Sequence, residues 1–114
     1  MVNIIKQKNK TYKLTKQIKK QLSVRLTSVA YPEQYNIKYD GVTAGYIRIR
    51  GGIVSILFTP SGDIDYTSIV LFAKNYEQKS INNFRSDLQK LYYIEKAKNL
   101  IAKTLAYDTI AAGE

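Results

Sequence analysis

The chain has 114 residues, 45% of them hydrophobic, a formal charge of +9, and neither cysteine nor histidine. That is enough apolar side chain for one core, which excludes a disordered polymer and leaves little room for a second domain. The missing residue types exclude a disulfide framework, thiolate zinc sites and cysteine or Ser-His nucleophiles, and the longest uncharged apolar stretch, Ser68–Ala73, is far too short to span a bilayer.

The charge is unevenly placed. Residues 1–32 hold eight basic side chains and no acid, whereas from Glu33 onward ten basic residues face nine acidic ones. Ile, Lys, Asn and Tyr make up 45 of the 114 residues, a bias that AT-rich coding would produce without any functional pressure. That bias explains many lysines but not the loss of acids over the first 32 residues. An acid-free segment of this kind attracts polyanions whatever its fold.

Residues 1–10 show little amphipathic pattern and read as a flexible basic arm or a short edge strand, with 11–114 as a single domain. From Thr11 or Thr15 a helix is predicted to about Leu22, because Leu14, Ile18 and Leu22 recur at four-residue spacing among lysines. Leu26 continues that spacing to about Val29, although Val24 and Leu26 also alternate as a strand would. Pro32 ends either version.

The middle of the chain is β-rich. Tyr35–Tyr39, Thr43–Arg50 and Ile53–Phe58 are separated by Asp40-Gly41 and Gly51-Gly52, both short-hairpin signals. Pro60-Ser61-Gly62-Asp63 makes a further turn, and Tyr66–Ala73 is a fourth strand or a short helix. Ser80 is a candidate cap for a long helix to about Tyr107, with an apolar stripe of Phe84, Leu88, Leu91, Ile94, Ala97, Ile101 and Leu105. The expected class is therefore α+β: an antiparallel three- to four-stranded meander flanked by two helices packed on one sheet face.

Period-two alternation sets the faces. Pairing across Gly51-Gly52 puts Ile47, Ile49, Val54, Ile56 and Phe58 on the helix-covered side, and Tyr46, Arg48, Arg50, Ser55 and Leu57 on the open one. A strict two-residue loop at Asp40-Gly41 would expose Tyr35, Ile37 and Tyr39. A bulge or longer loop at Gly41 would instead bury them and expose Asn36 and Lys38, which burial favours.

These placements point to a non-enzymatic nucleic-acid-binding protein. Lys10, Lys13, Lys16, Lys19, Lys20 and Arg25 are the expected phosphate contacts from the basic helix and arm. Tyr46, Arg48 and Arg50 are the expected sheet-side contacts, since guanidinium forks match phosphate geometry and a tyrosine can stack on a base or donate to a phosphate oxygen. The two groups are expected to merge into one cradle, binding DNA or RNA with steep salt dependence. An alternative is an inhibitor or interaction protein of phage or mobile-element type, docking on an acidic protein surface or sequestering a small anionic nucleotide. The open edge or face would also accept a second copy as a homodimer.

No catalytic residue, metal ligand or cofactor is assigned, and a soluble cytoplasmic protein is expected. The one pattern with enzymatic overtones is Asp63 and Asp65 followed by Glu77-x-Lys79, loosely that of a metal-dependent nuclease. The order helix, three strands, helix is similar to that of double-stranded-RNA-binding domains, and Glu95-Lys96-Ala97-Lys98 with Ala102-Lys103 resembles their basic second helix. The span from Phe58 to Ser80 is longer than that family allows. Three-stranded integrase arm-binding domains, which read DNA through an exposed sheet face, are similar in outline only.

Overall fold

The two hairpins determine most of the architecture. At both Asp40-Gly41 and Gly51-Gly52 the two loop residues take positive φ (53°, 78°, 57° and 79°), the backbone twist that lets a two-residue loop join right-twisted strands. In the computed structural model, which describes residues 2–28, 33–76 and 84–113, these loops lie within an α+β fold. α1 (Val2–Gln21) is followed by β1 (Leu22–Ser28), β2 (Glu33–Tyr39), β3 (Val42–Arg50), β4 (Ile53–Phe58) and β5 (Ile69–Asn75), then α2 (Asp87–Ala112). The sheet is a five-stranded antiparallel meander in chain order. No helix among the described residues is long and apolar enough to cross a membrane.

Two expectations are corrected and one open alternative is decided. The helix starts at Val2, so residues 2–10 form neither an arm nor an edge strand; no glycine or proline interrupts them, and extending an existing helix costs far less than starting one. The same helix stops at Gln21. Beyond it, Val24 pairs with Ile37 and Leu22 with Tyr39, so of the two readings open for Val24 and Leu26 the strand is the one formed. That adds the fifth strand. The second correction concerns the first hairpin, where the loop has two residues and the bulge lies on β3 at Ala44, not at Gly41. Tyr35 and Ile37 consequently face the core, while Asn36 and Lys38 share the open face with Tyr46.

α2 begins behind Ser86, whose Oγ accepts from the Gln89 backbone N–H at 3.1 Å while the Gln89 side chain accepts from the Arg85 N–H at 2.8 Å. The earlier candidate cap, Ser80, lies outside the described residues. The buried positions of α2 are Tyr93, Ala97, Ile101, Ala102 and Ala106. Its small residues bring the helix down onto β3, where Gly45 leaves room for the Ile101 side chain. Ile37, Ile47, Ile56 and Ile101 form the centre of the core with Ile18 of α1. A second cluster of Ile49, Val54 and Tyr93 extends it toward Phe72 and Phe84.

Two buried polar groups behave differently. Glu33 is 6% exposed and accepts from the Tyr35 hydroxyl and from the Phe84 backbone N–H at 3.2 Å, tying the approach to α2 onto β2. Burial, and then that hydrogen bond, pushes the Tyr35 hydroxyl well above the usual tyrosine range. Thr59 is 1% exposed, and its Oγ1 has no hydrogen-bond partner among the described residues. A buried hydroxyl without a partner forfeits its hydration for nothing. Thr59→Val keeps the shape and the backbone bond from Thr59 N–H to Ala44 C=O. It is expected to raise stability by about 1 kcal/mol, read as a higher urea midpoint at constant m.

Candidate nucleic-acid interface

Helical geometry sorts the α1 side chains. Thr11 and Ile18 are buried and Leu14 is half-buried, so this side of the helix faces the core. At 100° per residue, Lys13, Lys16 and Lys20 fall on the opposite side, whereas Lys10 stands on the flank next to Leu14 by the end of α2; all four are exposed. Lys16 Nζ sits 4.6 Å from the centre of the Tyr12 ring, and both residues are exposed. Lys19 is different. It points across to α2 and pairs with Glu95, whose carboxyl is held below its usual range mainly by that hydrogen bond and then by the attraction to Lys19. Lys19 is thus a link between the helices rather than a free cation.

The sheet presents a second basic surface. Cross-strand pairing lines up Arg25, Asn36, Tyr46 and Leu57 in one row, and Gln34, Arg48 and Ser55 in the next. Arg48 Nε donates to Gln34 Oε1 at 2.9 Å, which fixes the guanidinium on the face, and Arg50 is exposed at the hairpin end. Glu33, the one acid in the five strands, points to the other side. Lys38 belongs to this surface too, a position the sequence left open because the register of the first hairpin was undecided. Arg25, expected on the helix, stands on β1 instead.

Tyr46 lies on the expected face but is only 9% exposed. The connection between β4 and β5 folds back over it, bringing its hydroxyl 3.5 Å from the Gly62 carbonyl. Tyr46 packs under that loop and offers no free ring to a base. Nor do the two groups of cations join. The helices cover one face of the sheet, and Arg48 and Arg50 leave from the other, so the α1 lysines and the sheet arginines face opposite sides of the molecule. The single cradle expected from the sequence is replaced by two separate surfaces.

The acidic turn builds itself into the loop. Asp65 accepts from the Ser61 hydroxyl and from both the N–H and hydroxyl of Thr67, bonds that lower its pKa. Its oxygens are occupied as in an ordinary side-chain-capped turn. Glu77 and Lys79 lie outside the described residues, and no group of three or more potential metal-ligating side chains occurs among the described ones.

No protein-family model, curated protein or solved structure matches this chain.

Proposed function

We propose that this chain is a non-enzymatic nucleic-acid-binding domain that lays the outer side of α1 along a phosphate backbone, the sheet arginines forming a second and separate contact. The observation that supports this reading most is the row of Lys13, Lys16 and Lys20, flanked by Lys10, on the solvent side of a helix that contains no acid. From Lys10 to Lys20 the helix rises about 15 Å. A duplex presents one phosphate charge per roughly 1.7 Å of axis, so several phosphates lie within reach of such a row. Contacts of this type fix position and affinity but carry no base sequence.

A salt series on a labelled duplex tests the reading. Four phosphate contacts predict a slope of log affinity against log salt of roughly −3 to −4. A flat response, or no binding to duplex or single strand at low salt, overturns it and leaves docking on an acidic protein surface as the reading to pursue.

A further inference from the structure

The first turns of α2 do something the core does not require. Leu88, Leu91 and Tyr92 are 80%, 61% and 59% exposed, although the sequence spacing placed both leucines in the buried stripe. Facing them, β5 and the residue beyond it present Phe72, Lys74 and Tyr76. Two adjoining grooves of about 630 and 580 Å³ share Leu88 and Tyr92 as their common wall.

Rings and ammonium groups alternate along these grooves. Lys96 Nζ lies 4.6 Å from the Phe72 ring centre and 5.9 Å from that of Tyr92, and Lys74 Nζ lies 5.2 Å from the Tyr76 ring. The Tyr76 ring is held by its hydroxyl, 2.5 Å from that of Tyr93 and 3.2 Å from the donating Gln89 Nε2. Glu95, the carboxylate lining the larger groove, is already matched by Lys19.

We infer that this groove receives unpaired bases of a single-stranded nucleic acid. This inference rests on the reading of the chain as a nucleic-acid binder and extends it by naming the unpaired strand as a ligand. Flat rings stack on the exposed Tyr92 irrespective of base identity, and the ammonium groups of Lys74 and Lys96 slide from the ring faces to the adjoining phosphates. An apolar peptide would fit the leucines but would bury both ammonium groups without compensation, a cost that phosphate removes. Charge complementarity therefore selects the strand.

The test compares labelled twelve-nucleotide oligothymidylate, a duplex and thymidine monophosphate by anisotropy or competition. Tyr92→Ala is expected to weaken single-strand binding about tenfold, with duplex affinity unchanged. Tyr92→Phe is expected to keep it. Lys96→Gln is expected to lower the single-strand salt slope by about one. Circular dichroism checks that the variants fold, which the exposure of Tyr92 favours. Equal binding of the monophosphate and the oligonucleotide overturns the inference. Unchanged single-strand affinity in Tyr92→Ala also overturns it, as does the same variant turning a dimer into a monomer in light scattering. A parent chain that binds neither duplex nor single strand removes the underlying proposal instead, so the two failures are distinguishable.

Discussion

Neutralising Lys10, Lys13, Lys16 and Lys20 together as glutamine is expected to weaken duplex binding by at least about a hundredfold near 50 mM salt, and to flatten most of the salt dependence. Each phosphate contact supplies close to one unit of slope, so losing four leaves only what the sheet contributes. Glutamine is nearly as good a helix former as lysine, which keeps α1 intact. Lys19 is left in place because its partner is Glu95 and its removal would disturb how the helices pack. Changing Arg48 and Arg50 to glutamine is the matched control. These residues lie on the opposite side of the molecule, so their loss is expected to cost much less. Equal effects from the two sets, or no effect from the lysine set, would show that α1 is not the principal contact.

Gly45→Ala is expected to destabilise the fold by about 1–3 kcal/mol, measured as a lower denaturation midpoint. A methyl group there would come within 2.5 Å of both Ile101 Cδ1 and the Leu57 carbonyl oxygen. The isoleucine tip can swing aside, but the carbonyl belongs to the β3–β4 pairing and cannot. Either α2 lifts from the sheet or the pairing opens. Shortening the helix side chain in the double variant Gly45→Ala, Ile101→Val is expected to recover only part of the loss. An alanine variant as stable as the parent would mean that α2 does not cross the sheet at this point.

Local chemistry made the hairpins legible. Asp40-Gly41 and Gly51-Gly52 tolerate positive φ, and two-residue loops between β-branched runs fix the register, so Ile47 against Ile56 and Ile49 against Val54 followed directly. What stayed hidden depends on contacts between distant segments. Leu22–Ser28 reads equally as helix or strand until β2 lies beside it. The phase of α2 turns on Ala97, Ala102 and Ala106 allowing close approach, which favours Tyr93 as the inward residue over the larger apolar side chains at 88 and 91. Tyr46 looked open because alternation places it on the solvent face, and nothing in its own strand announces the loop that covers it. The lysines themselves were visible, but their side of the molecule was not. It depends on α1 lying with α2 behind the sheet.

α1 packs chiefly on α2 and runs antiparallel to it, Lys19 meeting Glu95 near one end and Leu14 lining one groove with Ile110 toward the other. Of the two helices, α1 is made before the one on which it chiefly packs. The meander zips up strand by strand as it emerges, because each strand pairs with its immediate predecessor. The Leu14 and Ile18 side of the lysine helix therefore gains its main cover only once α2 has been made.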